Sequence, residues 1–131
     1  MIVVDTNVLV ALFMRSPQGF AAEALYQRNP RWAAPRLWRS EMRNALSRYL
    51  RAGHIELASA REIQANAEHL IAENEYGLDS GSVLDLVAAS TCTAYDCEFV
   101  ALALRLGVPL VTCDQQILRD FPEVAVDLMA G

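Results

Sequence analysis

Two short apolar runs rich in β-branched residues each stop at an acid. Residues 2–4 (Ile-Val-Val) lead into Asp5, and residues 108–112 lead through Cys113 into Asp114. Neither run alternates apolar with polar. Each therefore predicts a strand buried on both faces, as in a parallel sheet covered by helices. Between them the period is helical. Residues 8–14 predict a short helix, and Ser16-Pro17 supplies a cap and an N1 proline for a helix over 17–28, stopped by Asn29-Pro30. Residues 32–35 form an extended segment. Leu37, Trp38, Met42, Ala45, Leu46, Tyr49 and Leu50 fall at helical spacing, closed by Gly53.

Ser59-x-x-Glu62 resembles a capping box and predicts a helix from there that ends before Gly77. A further helix is expected over 82–91. Another runs from an N-cap at Thr93 to a C-cap at Gly107. Residues 115–119 predict a helical turn and 124–126 a last strand. Strands alternating with helices imply an α/β fold, here with three or four short parallel strands and a high helix content.

A chain of 131 residues, 53% apolar, suits one domain spanning 1–131 with a core of its own. No run of about 18 apolar residues occurs, so no membrane partner is expected. The start, Met1 to Asp5, has neither a basic flank nor a cleavage site, which predicts a cytoplasmic protein. All 11 basic residues are Arg. The absence of Lys excludes P-loop, Schiff-base and kinase-type chemistry. It also disfavours a haloacid-dehalogenase-type phosphatase, whose nucleophile motif further needs Asp-x-Asp where this chain has Asp5-Thr6-Asn7. Cys92, Cys97 and Cys113 are odd in number and lack Cys-x-x-Cys, so they read as buried, reduced structural residues. His54 and His69 lack both metal-ligand and triad spacing, and no Gly-x-Ser-x-Gly occurs, so Ser/His catalysis is unsupported.

The net charge is −5, yet residues 28–51 hold seven Arg against the single acid Glu41. That stretch is either a footprint for a polyanion, with Arg36, Arg39 and Arg43 as the candidate RNA contacts, or a solvated helix face.

In a parallel α/β sheet, ligands sit beyond the carboxyl ends of the strands. Asp5 and Asp114 both stand there. Asp96 starts a helix that can point to the same edge, and Glu41 lies at the border of a buried helix face. Four carboxylates in one pocket stay ionised together only around a hard cation, and oxygen ligands suit Mg²⁺ or Mn²⁺. Thr6, Asn7 and Thr112 are the polar neighbours able to orient them. Setting these four acids aside brings the net charge from −5 to −1, so the acidic total no longer argues against a nucleic-acid substrate.

These residues resemble a known family. Asp5-Thr6-Asn7 after an N-terminal strand, Glu41, the run Tyr95-Asp96-Cys97-Glu98-Phe99-Val100-Ala101-Leu102-Ala103, and Thr112-Cys113-Asp114 look like the PIN domain. More narrowly, they look like the VapC ribonuclease toxins of type II toxin–antitoxin modules, over essentially the whole chain. The resemblance implies a PIN-like fold, a short parallel sheet sandwiched by helices. It implies Asp5, Glu41, Asp96 and Asp114 as catalytic, metal-holding acids, with Asn7 and Thr112 in support. It implies Mg²⁺- or Mn²⁺-dependent endonucleolytic cleavage of RNA, a cognate VapB-type antitoxin whose C-terminal segment covers the site, and a homodimer. Gln115 and Gln116 follow Asp114 where some relatives carry a further acid, so one or two ions remain open.

Plainer readings stand beside these. Asp5 and Asp114 also read as helix caps, Asp96 as an acid favoured by its helix dipole, and Glu41 as an ion-pair partner of Arg36, Arg39 or Arg43. Glu98, about 200° round the helix from Asp96, points elsewhere or stands behind the site. Asp79 and Asp85 read as loop and surface residues. Trp32 and Trp38 read as core or partner-contact residues in preference to base-stacking platforms. An RNA-binding or protein-interaction module that keeps the PIN fold without turnover is the alternative function.

Overall fold

The structure, a computed structural model, describes residues 1–130. In chain order the elements are β1 (Ile2–Val4), α1 (Thr6–Leu12), α2 (Pro17–Arg28), β2 (Trp32–Pro35), α3 (Trp38–Arg51), α4 (Leu57–Ile71), β3 (Glu75–Tyr76), α5 (Ser80–Ala88), α6 (Ala94–Leu106), β4 (Leu110–Thr112), α7 (Gln115–Asp120) and β5 (Ala125–Asp127). All strand pairings are parallel, in the order β3-β2-β1-β4-β5. This is the α/β fold that the two apolar runs imply, with five strands where three or four were legible.

The order explains where a site forms. From β1 the chain winds outward to β2 and β3, then crosses back through α5 and α6 to place β4 on the other side of β1. The winding reverses between β1 and β4, and a crevice opens outside the carboxyl ends at that switch point. Val4 pairs with Val111, and the Asp5 N–H donates to the Val111 carbonyl at 3.0 Å. Asp5 is thereby brought level with Thr112. The strands β1, β2 and β4 are buried along their whole length. Trp32, Trp38, Phe99, Leu9 and Met42 are among the largest fully buried side chains. Both tryptophans are therefore core residues, as read from the sequence.

Several boundaries move, each for a local reason. The first helix starts at Thr6, directly after β1, because Asp5 caps it. The helix expected from Ser59 begins at Leu57 with no side-chain cap, so Ser59-x-x-Glu62 does not act as a capping box. The extended Glu56 precedes this helix, and α3 closes before it in a turn at Gly53 (φ 75°), with the His54 N–H on the Tyr49 carbonyl at 2.9 Å. The expected helix over 82–91 runs from Ser80 to Ala88. Asp79 is its N-cap, accepting from the Ser82 N–H, and at the far end the Thr91 N–H goes to Asp120 in place of the next turn. β3 has only two residues and no β-rich run, so nothing local announces it. Its strand character comes from pairing with Ala34 and Pro35. Thr93 and Gly107 cap α6 as expected, Gly107 in the left-handed region. The three cysteines are free, with Cys92 and Cys97 buried.

Candidate active site

Asp5, Glu41, Asp96 and Asp114 all line one open cleft of about 1020 Å³. Asp5 and Asp114 are helix caps and cleft residues at once, so those two readings are not alternatives. Asp5 Oδ1 accepts the Thr6 N–H at 2.8 Å, capping α1. Its Oδ2 accepts the Thr112 hydroxyl at 2.7 Å and the Asn7 amide at 3.3 Å. Asp114 uses Oδ1 for the Gln116 and Ile117 N–H groups, at 2.8 and 3.2 Å, which leaves Oδ2 for the cleft.

The supporting polar residues form one network. The Thr112 hydroxyl, fully buried, donates to Asp5 and accepts the Asp114 N–H at 3.0 Å. Asn7 accepts the Cys113 N–H at 3.1 Å, so one amide ties α1 to the end of β4. The Thr6 hydroxyl donates to Glu41 Oε1 at 2.7 Å, which joins α3 to the same centre. Glu41 is therefore not the ion-pair partner of the neighbouring arginines. Both ion pairs among the described residues belong to Arg39, to Glu68 at 2.9 Å and Glu75 at 2.7 Å. Asp96 sits in the first turn of α6, its N–H held by the Thr93 hydroxyl at 3.1 Å.

The carboxylates are short of positive charge. Burial pushes Asp5 up to about 6. The Thr112 hydroxyl and the Thr6 N–H oppose the rise, and the charges of Glu41 and Asp96 add to it. Burial also raises Glu41 against the Thr6 hydroxyl, helped by Asp96 and Glu98. Asp96 is raised by burial and by the charge of Asp114, against the cap from Thr93. Glu98 therefore belongs to the electrostatics of this centre. Its position two residues beyond Asp96 turns it from that acid, but α3 brings Glu41 within reach of both.

The four acids offer only oxygen donors; Cys97 and Cys113 stand next to Asp96 and Asp114 in the chain but do not line the cleft. The four acids line the cleft without converging on one ion: among the described residues no group of three or more His, Cys, Asp or Glu side chains is gathered closely enough to hold a metal ion. Such an open, anionic, oxygen-only set fits a hard divalent cation that keeps several waters, and not a structural zinc.

The structure keeps the sequence-derived RNA contacts out of the cleft. Arg36, Arg39 and Arg43 do not line it. Arg39 is committed to Glu68 and Glu75, and Arg43, exposed, bonds to the Arg39 carbonyl and Ser40. The arginines on the cleft are Arg15 and Arg48. Helical geometry explains the choice: Glu41, Asn44, Ala45, Arg48 and Tyr49 stand at i, i+3, i+4, i+7 and i+8 and form one stripe of α3, which Ala52 continues at the C-cap. Arg43 lies about 200° round from Glu41.

A second missed feature lies behind the acids. Asp120 Oδ2, at the end of α7, accepts the Thr91 N–H at 2.7 Å and its hydroxyl at 2.6 Å. Gln116 donates to the Thr91 carbonyl at 2.7 Å. This clamp joins the loop before α6, which carries Asp96, to α7, which Asp114 starts. No sequence spacing signals a contact across 29 residues.

Comparison with known proteins identifies the family and the fold. The family model for the PIN domain matches residues 2–125. No curated protein matches the sequence. Among solved structures, the chain is similar to PAE2754 from Pyrobaculum aerophilum, at 22% identity and a TM-score of 0.78, over 98% of this chain and 90% of that one. It is also similar to a chain of a toxin–antitoxin complex from Klebsiella pneumoniae, at 19% identity and 0.71, over 98% of each. A third is a chain of FitAB bound to an IR36 DNA fragment, at 15% identity and 0.72, over 98% and 96%. At these identities the likeness is one of fold.

Proposed function

The chain belongs to the PIN domain family, and from that premise we propose that it is a VapC-like endoribonuclease toxin, hydrolysing RNA phosphodiester bonds with Mg²⁺ or Mn²⁺ and neutralised by a cognate antitoxin. The observation that carries the reading is the lining of one open cleft by four carboxylates, three of them raised by burial first and by one another's charge second.

Asp5, Glu41, Asp96 and Asp114 are the residues that would hold the cation, which when bound polarises a phosphoryl oxygen and makes water more acidic. The chain's own contribution is placement. Thr112 and Asn7 fix the Asp5 carboxylate from one side, and its cap on α1 fixes it from the other. The Thr6 hydroxyl holds Glu41 toward the same point. Thr93 sets the first turn of α6 and hence Asp96. The cleft is open, so a polymer can lie along it. Arg36 and Arg43 are exposed and meet phosphate outside the cleft in this reading, whereas Arg39 holds α3 to α4 and β3.

An antitoxin partner is part of the proposal, supported by the toxin–antitoxin complex among the similar structures. A homodimer is part of it too, supported by the apolar α5, of which only Val83 is buried while Leu84 is 60% exposed. No helix is long and apolar enough to cross a membrane among the described residues. A cytoplasmic location belongs to the same proposal.

The test is cleavage of a fluorophore–quencher RNA by wild type and Asp5→Ala, each with Mg²⁺, with Mn²⁺ and with chelator. Metal-dependent signal lost in the variant is the expected result. Equal traces from the two proteins contradict it, and RNA binding without turnover points to the non-cleaving module.

A further inference from the structure

Charges of both signs line the cleft. Besides the four carboxylates it holds Arg48 and Tyr49, two turns further along the α3 stripe than Glu41, with Arg15 from the turn between α1 and α2 and His54 from the turn after α3. Arg15 and Arg48 are exposed, and neither is in an ion pair among the described residues. His54 is placed by a built turn. Gly53 at φ 75° folds the chain back, and the His54 N–H bonds to the Tyr49 carbonyl. The two rings then lie with centroids 6.4 Å apart, tilted by 54°. Cations beside aromatic rings in one open groove are what a single-stranded nucleic acid recognises: charge for the phosphates, ring faces for unstacked bases.

The distance suits that ligand. Arg48 follows Glu41 by seven residues, a rise of about 10 Å along the helix. That is the rise of about three stacked nucleotides of one strand. We infer that this part of the cleft, built from Arg48 and Tyr49 with Arg15 and His54, is a subsite that holds single-stranded RNA flanking the scissile bond. The inference rests on the ribonuclease reading and deepens it. It assigns length preference to residues that make no contact with the acids' own hydrogen-bond network. A strand bound only at the carboxylates gains nothing from them, whereas one reaching two or three nucleotides further gains a phosphate contact and a stacked base.

The experiment compares kcat/KM for a dinucleotide and a hexanucleotide RNA, with Mn²⁺ present. Wild type is expected to favour the hexanucleotide. Arg48→Gln and Tyr49→Leu should each shrink that preference about tenfold, through a rise in KM for the hexanucleotide with little change in its kcat. Arg48→Gln should also lower the salt slope of hexanucleotide binding by about one. Arg61→Gln removes the same charge from α4, outside the cleft, and should keep the wild-type ratio. Circular dichroism and thermal melting show that the variants are folded. If Arg48→Gln and Tyr49→Leu keep the wild-type preference, the subsite is wrong although the ribonuclease stands. If wild type cuts neither oligonucleotide, the ribonuclease reading falls and takes the subsite with it.

Discussion

Asp5→Asn should make the metal-free protein more stable near neutral pH while removing its activity. Burial lifts Asp5 from 3.8 in the unfolded chain to about 6 in the folded one. Between those values the folded chain binds more protons than the unfolded one, so stability falls as pH rises. The favourable contribution is complete below 3.8 and gone above about 6. At neutral pH the ionised, buried Asp5 therefore costs the fold about 3 kcal/mol. Asparagine removes that burden and keeps an oxygen for the Thr6 N–H. In return its amide hydrogens face the Thr112 and Asn7 donors where Oδ2 accepted, a loss of about 1 kcal/mol. The net expectation is a gain of about 2 kcal/mol near pH 7.5, shrinking to zero or slightly below by about pH 4. Urea unfolding of both proteins in chelator, across that range, measures the difference directly. Saturating Mn²⁺ should narrow it, because ligand binding stabilises only the protein that binds. A variant less stable than wild type near neutral pH, or a difference that ignores pH, would refute the reasoning.

Three further outcomes are expected. Thr112→Val removes both the donor to Asp5 and the acceptor for the Asp114 N–H. It should cost about 2 kcal/mol and move the acid limb of the cleavage pH profile upward, read from initial rates against pH. Asp120→Ala frees the loop before α6 from α7. Metal-dependent cleavage should drop about tenfold with secondary structure intact, with partial rescue by Asp120→Asn. Glu75 is held below the usual carboxylate range, burial being outweighed by the bonds from Arg39 and Trp38. Its contribution is present above the ordinary Glu range and lost as pH falls through the lowered value. Glu75→Gln should therefore cost about 1–2 kcal/mol at neutral pH and weaken the acid dependence of unfolding, with little effect on turnover.

Much of the site is legible in the sequence because each acid ends or starts an element with a local signature. Asp5 and Asp114 follow buried strands, and Asp96 follows a good N-cap at Thr93. The assumption that fails is that capping and site roles compete. Each carboxylate has two oxygens, and Asp5 divides them between α1 and the cleft network. Glu41 is locatable from its helix, but its partner is not. The Thr6 hydroxyl lies 35 residues away, and the nearby arginines, closer in sequence, look in other directions. The same long-range logic hides β3, whose two residues become a strand only by pairing with β2, and the Asp120 clamp. The basic cluster was visible as charge, but only helical phase selects Arg48 from it, and Arg15 lies outside the cluster altogether.

The central claim is that the acids form a charge-deficient centre completed by a divalent cation. The measurement that tests it most directly is calorimetric titration of Mn²⁺ into the protein near pH 6, in two buffers of different ionisation enthalpy. Binding at the cleft must drive the raised carboxyls to ionise, so protons are released and the observed heat depends on the buffer. The account expects saturable binding with proton release near pH 6, less release near pH 8, and loss of binding in Asp5→Asn. Binding that releases no protons, or that survives in Asp5→Asn, would contradict it.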